Sequence, residues 1–304
     1  MKALVTLGAG QVGFRPAEVP DPMTGDRDLL VEVRAASLNR GDLQHAAAAA
    51  GEIVRGYDFA GVVVRASPAG GPPVGSRVAG LVPAGAWAER VAAPVGSVAE
   101  LPSGLSFADA AAVPVAGLTA LYALRQAGQL LGRRVLVTGA SGGVGGWAVQ
   151  LAALGGASVI AVTRDLAKAS ALRDLGAAAV ATPADLPAEP VDVVVDTAGG
   201  DSFTVAMARL GPGGIGICVG NPTRLPLALP AGFGEQRAAF RITWISVFDE
   251  LTRAAGGRDL GYLLDRVAAG ELSARAGHIL SWTEVTRGLD YLSDSGGKVV
   301  FTFG

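Results

Sequence analysis

Cysteine is nearly absent from this sequence: Cys218 stands alone, which excludes an internal disulfide framework and any multi-cysteine metal site. The two histidines, His45 and His278, are isolated in the chain, and each reads as a surface residue rather than a metal ligand. Cys218, inside the apolar run 216–220, reads as a buried strand residue. Lysine is scarce as well. Only Lys2, Lys168 and Lys298 occur, and the other 22 of the 25 basic residues are arginines, so each lysine position carries some information. No block of like charge exists, and the net charge is −2. That argues against a nucleic-acid partner, because neutralising phosphates needs a basic face.

Long hydrophobic runs are missing too, although 50% of the residues are hydrophobic. Spanning a bilayer takes roughly 18 to 20 apolar residues. The richest stretch, 110–124, is broken by Pro114 and Gly117 and bounded by Asp109 and Arg125. No membrane partner is expected. Nothing in the first residues resembles a signal peptide, since β-type sequence begins at once over Lys2–Leu7. The expected location is cytoplasmic.

What is present is Ala, Gly and Val in the proportions of a tightly packed α/β protein, at a length that allows one large domain or two medium ones. The first hundred residues read as short strands at 3–7, 29–35, 60–66, 78–82 and 87–92, punctuated by Gly, Pro and Asp clusters. The alanine run 46–50 reads as one turn of helix or a tight connection. From Ser106 the texture changes. A helix with Ser106 as N-cap runs to Ala127, with a kink near Pro114–Gly117. Apolar strands at 134–138, 158–163, 178–181, 191–196, 214–219 and 242–247 then alternate with helices at 144–154, 166–175 and 203–209. Such alternation predicts a parallel sheet covered on both faces. Helices over 251–269 and 282–292 and a last strand, 298–303, follow. Trp244 and Phe248 are expected to pack in the core, the alternative being that they line a cleft.

The most specific feature is 135–147, VLVTGASGGVGGW, in which a buried strand ends at Thr138 and a helix begins near Val144. A dinucleotide fold needs glycine here because the backbone must turn sharply and lie against the pyrophosphate. The helix N-terminus then offers N–H groups and a positive dipole to the anion. The next strand ends Ala161–Val162–Thr163–Arg164, with Arg164 19 positions after Gly145. An NAD enzyme places Asp or Glu about there, roughly 20 residues past the glycines, to hold the ribose hydroxyls. Arginine cannot accept those bonds, but it can grip a 2′-phosphate. Lys168, four residues on, is within reach of the same anion. NADPH is therefore the expected cofactor; the alternative is that both cations belong to a solvated face, with Asp165 offsetting part of their field.

Thr138–Gly145 (TGASGGVG), Asp192–Gly200 (DVVVDTAGG) and Gly297–Phe301 (GKVVF) resemble the quinone oxidoreductase branch of the medium-chain dehydrogenase/reductase superfamily. The stretch 111–124 is similar to the helix that precedes the cofactor domain there and in enoyl reductases, and Ala35–Asp42 and Gly56–Gly61 to the paired active-site segments. The resemblance covers nearly the whole chain. It implies an α/β protein: a Rossmann doubly wound parallel sheet domain at 117–251, a GroES-like β-rich substrate domain at 1–116 and 252–304, and a cleft between them. It also implies a homodimer formed through the Rossmann domain. The cofactor-binding set is then Gly139, Ser141, Gly142, Gly143, Val144 and Gly145, with Thr163, Arg164 and Lys168, and with Thr197 and Gly220 after later strands.

Zinc-dependent relatives carry Cys, His and usually Cys where this chain has Asn39, Tyr57 and Val115, so no metal is expected. Without zinc, alcohol oxidation is disfavoured, whereas hydride delivery to the activated C=C of an enone or quinone needs only a donor for the developing oxyanion. That donor is Tyr57, Asn39 or Arg40, with Tyr57 as an ordinary packed aromatic the alternative; Asp42 and Asp58 serve either there or in holding loops. Relatives have a longer segment, often with a tyrosine, where this chain has 43–55 with none. Two functions stay open: an NADPH-dependent reductase, in polyketide or aromatic metabolite tailoring, and a redox-silent member used for ligand binding or a step such as cyclisation.

Overall fold

A computed structural model of the protein describes residues 1–8, 11–236, 238–253, 256–294 and 297–304. The chain divides into two compact units, 1–118 with 251–304, and 119–250.

The first unit opens with β1 (Lys2–Thr6) and β2 (Phe14–Glu18), which form an antiparallel ribbon. β3 (Asp28–Leu38), α1 (Arg40–Ala48), β4 (Asp58–Arg65), β5 (Arg77–Leu81), β6 (Arg90–Pro94) and β7 (Val98–Glu100) follow. α2 (Phe107–Ala111) closes the N-terminal part, and α3 (Pro114–Ala127) carries the chain from the first unit into the second. β3 shows why this sequence makes strand: Leu29, Val31 and Val33 are buried while Arg34 is exposed, the period-2 alternation of a half-buried pleat. Ser106 Oγ accepts from Asp109 N at 3.0 Å to start α2. The expected single helix 106–127 is instead two, because Pro114 has no N–H to continue the first helix and begins the second.

The second unit contains β8 (Arg134–Val137), α4 (Gly143–Leu154), β9 (Ser158–Val162), α5 (Ala169–Asp174), β10 (Ala179–Ala181) and β11 (Val191–Asp196). It continues with α6 (Gly200–Met207), β12 (Leu210–Cys218), α7 (Phe233–Gln236), β13 (Arg241–Trp244) and α8 (Val247–Leu251). Its six strands are all parallel in the order β10-β9-β8-β11-β12-β13. Numbered within the unit this is 3-2-1-4-5-6, the doubly wound order of a Rossmann domain, with the reversal between β8 and β11. The inner strands β8, β9 and β11 are largely apolar and buried, and α4 is buried from Gly145 to Ala152, as a sheet covered on both faces requires.

The chain then returns to the first unit through α9 (Gly256–Ala268), β14 (Ala276–Ser281), α10 (Val285–Asp294) and β15 (Lys298–Thr302). Its large sheet runs β14-β15-β3-β4-β5-β7, with β6 also on β3, and only β14–β15 is parallel. Trp87 sits at its centre, fully buried, edge-on to Phe14 and Phe301 at 4.8 and 5.6 Å between ring centroids. Gly56, at φ +93°, lies so close beneath Trp87 that a Cβ would fall 2.1 Å from the indole Cδ1. No other residue fits there.

Several elements differ from expectation. β2 contains Pro16, tolerated because this ribbon strand pairs on one side only. β7 and β14 were not expected either; each owes its place to distant partners, β5 and β15. The turn expected at the alanine run is the C-terminal part of the nine-residue α1. The helix expected over 251–269 crosses residues 254–255, outside the described residues. Trp244, expected in the core, is 54% exposed on β13, because that strand forms the open edge of its sheet. Cys218 is buried in β12 as expected. Among the described residues no helix is long and apolar enough to cross a membrane.

Candidate functional site

The reversal of strand order in a doubly wound sheet opens a crevice at the C-terminal ends of its two central strands. Gly139, Ser141, Gly142, Gly143, Val144 and Gly145 lie there, in the β8–α4 turn and the first turn of α4. Gly139 has φ +57°, and a Cβ on it would stand 2.4 Å from Thr197 Oγ1. A Cβ on Gly145 would stand 2.2 Å from the Gly139 carbonyl oxygen. Loop and helix are thus packed at a distance only glycine permits. Gly142 is the N-cap of α4 and makes no side-chain cap, so the first N–H groups of the helix and its positive dipole end are presented by backbone alone.

A buried network fixes the ends of β8 and β11. Thr138 Oγ1 donates to Asp196 Oδ1 at 2.6 Å, and Gly199 N donates to Asp196 Oδ2 at 3.0 Å. Thr197 donates twice to Thr138, from N to Oγ1 at 3.0 Å and from Oγ1 to the carbonyl at 2.8 Å. Burial pushes the Asp196 carboxyl above its ordinary range, while the bond from Thr138 lowers it. Gly220 follows β12, where a Cβ would lie 3.5 Å from the Thr197 carbonyl oxygen.

Thr163, Arg164 and Lys168 follow β9, the strand beside β8. Thr163 is buried, Arg164 exposed and Lys168 half-buried. Asp165 does not pair with either cation: its Oδ1 accepts from Ala167 N at 3.0 Å and caps the turn. Among the described residues neither Arg164 nor Lys168 has an ion-pair partner. A glycine-rich loop, a helix start with no side-chain cap and two cations one strand away with no ion-pair partner among the described residues fit a dinucleotide bearing a 2′-phosphate.

The first unit carries a second cluster. Asp58 Oδ2 accepts from Ser37 Oγ at 2.5 Å, Asn39 Nδ2 at 2.8 Å and Lys298 Nζ at 3.2 Å, and Asp58 Oδ1 accepts from Val115 N at 2.8 Å. Lys298 Nζ also donates to Asn39 Oδ1 at 2.7 Å. Both ends of the Asn39 amide are therefore engaged. Asp42, the third residue of α1, accepts from Asn39 N at 2.9 Å. Its Oδ1 is buried with no partner among the described residues. Burial pushes this carboxyl up to about 7, against lowering by the Asn39 bond. Asp42 and Asp58 both hold backbone N–H groups, the loop-fixing role open to them in the sequence.

Tyr57 is buried, and its hydroxyl accepts from Arg55 Nη2 at 3.0 Å and lies 2.6 Å from His45 Nδ1. Arg40 is exposed on the first turn of α1, with no side-chain partner among the described residues. The structure thus joins Asn39 to Asp58 and Lys298, and Tyr57 to Arg55 and His45, and leaves Arg40 apart. Sequence reasoning gave no role to Ser37, Arg55 or Lys298. For Lys298 a signal existed: it is one of three lysines in a chain of 22 arginines.

Residues 143–255 match the zinc-binding dehydrogenase family, and residues 25–103 match the alcohol dehydrogenase GroES-like domain. The quinone oxidoreductase from Thermus thermophilus, solved also in complex with NADPH, is 31% identical, with all of both chains covered and a TM-score of 0.86. Prostaglandin reductase-3 of Bos taurus is 30% identical over 93% of this chain and 83% of its own length. The pikromycin polyketide synthase component PikAII of Streptomyces venezuelae is 37% identical over 64% of this chain, which spans 6% of that protein.

Proposed function

The chain belongs to the quinone oxidoreductase and enoyl reductase branch of the medium-chain dehydrogenase/reductase superfamily, and from that membership we propose that it is a cytoplasmic, zinc-independent, NADPH-dependent reductase of the activated C=C of an enone or quinone. The observation that carries this is the glycine-rich β8–α4 loop, with Gly139 and Gly145 where a Cβ would clash, and Arg164 and Lys168 after the adjoining strand. The loop and helix start would hold the pyrophosphate, Thr197 and Gly220 would border it, and Arg164 with Lys168 would hold the 2′-phosphate. Bound NADPH supplies a hydride, after which negative charge rests on the conjugated oxygen of the substrate.

The chain's own contribution is to bind, orient and supply a donor for that charge. Asn39, Tyr57 and Arg40 are the donor set. Zinc independence is supported by donor chemistry: the Asn39 amide is committed to Asp58 and Lys298, Tyr57 is buried as a phenol, and Val115 has no donor side chain. A homodimer through the Rossmann domain is part of the same proposal.

Two titrations test it. NADPH should bind well ahead of NADH; NADPH absorbance should fall with 1,2-naphthoquinone or a simple enone, and NADP with primary alcohols should form no NADPH. The tyrosine-free 43–55 segment favours a second function, ligand binding or cyclisation without redox. Tight NADPH binding with no acceptor turned over selects it.

A further inference from the structure

We propose that Tyr57 gives the proton that completes the reduction, that Arg55 holds the phenolate this leaves, and that His45 returns the proton from solvent. This rests on the reductase function above.

Three groups stand in series from the interior to the surface. Arg55 is 6% exposed, an unusual place for a guanidinium. Its Nη2 donates to the Tyr57 hydroxyl at 3.0 Å, and its Nε has no partner among the described residues. A phenol packed as a hydrophobe has no need of a buried cation on its oxygen; a phenol that passes through its anion does. On the other side His45 Nδ1 lies 2.6 Å from the hydroxyl and 2.8 Å from the Gly41 carbonyl, so the Nδ1–H tautomer points at both oxygens. The His45 ring is exposed. Among the described residues, charges that act on Tyr57 include Asp42 on α1 and Asp58 on β4, and Lys298 on β15 pairs with Asp58. Burial pushes the Tyr57 phenol up to about 12, so it stays protonated through neutral pH and yields its proton to a strong base such as an enolate.

The step balances. Hydride addition at the β-carbon leaves an enolate; the Tyr57 O–H bond breaks, its electron pair stays on the phenolate oxygen, and the proton forms the new C–H bond at the enolate α-carbon. The Nδ1 proton of His45 passes to the phenolate while Nε2 takes one from water, and exchange with water restores the first tautomer. The substrate gains one hydride and one solvent proton. Tyr57 is the catalytic residue; Arg55 and His45 act through it.

The test uses the full chain, NADPH and 3-penten-2-one, with Tyr57→Phe and His45→Ala compared with wild type. General-acid removal is worth roughly 100-fold or more, so Tyr57→Phe should lower kcat about 100-fold, and His45→Ala about tenfold, as water replaces an organised donor. NADPH affinity should hold in both. Added imidazole should restore most of the His45→Ala loss and none of the Tyr57→Phe loss, which a merely structural histidine would not show. Without cofactor, the His45 Nδ1 resonance of histidine-labelled protein should move in Tyr57→Phe. Full kcat in His45→Ala, a loss imidazole does not repair, or an unmoved Nδ1 signal overturns the relay. Wild type that reduces neither enones nor quinones overturns the reductase function, and the relay with it.

Discussion

Around β8 the glycines that shape the β8–α4 loop are close in sequence: Gly139, Gly142 and Gly145 constrain one another, and distant chain enters through the ends of the neighbouring strands, Thr197 and Asp196 among them. Around Asp58 the opposite holds. Its partners Asn39, Ser37, Val115 and Lys298 lie 19, 21, 57 and 240 residues away. A backbone cradle is made by omission, since glycines leave room for a ligand. A buried charge cluster is made by assembly, and each member must arrive for the others to be tolerable, because an unpaired charge in the interior is strongly disfavoured. The first fails locally when altered; the second fails globally.

The largest expected effect breaks the cradle. In Gly145→Val a branched side chain would enter where even a Cβ falls 2.2 Å from the Gly139 oxygen and 2.8 Å from Ala140 Cα, so loop and helix must part. NADPH binding should be lost by calorimetry. Gly142→Ala should be milder, because Gly142 has φ −74° and a Cβ there stands 3.1 Å from the Gly139 oxygen. Equal damage from both would mean that ligand space, not backbone packing, sets the loop.

Lys298→Met breaks the assembly. The side chains of Lys298 and Asp58 are 4% and 0% exposed, and removing one partner of a buried pair typically costs about 3–5 kcal/mol. Thermal unfolding should shift down accordingly, and adding Asp58→Asn should recover part of the loss, since it removes the orphaned charge. A double variant no better than the single would show that Asp58 matters for its hydrogen bonds more than for its charge.

Asp42 sharpens the contrast through pH. Its carboxyl stands at about 7 in the fold against 3.8 ordinarily, so between those values the folded chain keeps a proton that the unfolded chain has lost. Its contribution to stability therefore falls as pH rises through that window, by up to about 4 kcal/mol. Asp42→Asn cannot titrate. It should be close to wild type near pH 4, where wild-type Asp42 is neutral, and more stable than wild type at pH 8. Parallel stability curves for the two proteins across that range would contradict a raised Asp42.

These differences also explain what could be read in advance. The strands of the second unit and its loop were legible because each signal lies within some ten residues: an apolar run, a glycine triplet, a helix start. Arg164 was legible because the end of the second strand is found by counting. The Asp58 cluster was not, since no local pattern ties Lys298 to Asn39 across 259 residues. His45 was placed correctly on the surface, but its approach to Tyr57 depends on how α1 packs beside the strand that begins at Asp58. β2 stayed hidden because Pro16 argues against strand until its pairing with Leu4 is seen, and Trp244 was misplaced because composition does not reveal which strand ends a sheet.

The smallest expected effect is the most specific. Arg164 is exposed and, among the described residues, unpaired, so a charge-assisted bond to a 2′-phosphate would form in water-rich surroundings. Such bonds contribute roughly 1.5–3 kcal/mol when well formed; the low end applies at an exposed rim, and Arg164→Ala should weaken NADPH binding about tenfold. Lys168→Ala should weaken it less, because an ammonium on a flexible stem is less organised than a planar guanidinium. NADH lacks the phosphate, so its affinity should hardly change in either variant. Added salt should erode the preference in wild type, as screening of an exposed ion pair requires, and should do so less in Arg164→Ala. Fluorescence titration of both nucleotides at two salt concentrations separates the possibilities. Equal losses for NADH and NADPH would place Arg164 in support of the fold at the end of β9, and the cofactor preference would then have to come from elsewhere in the crevice.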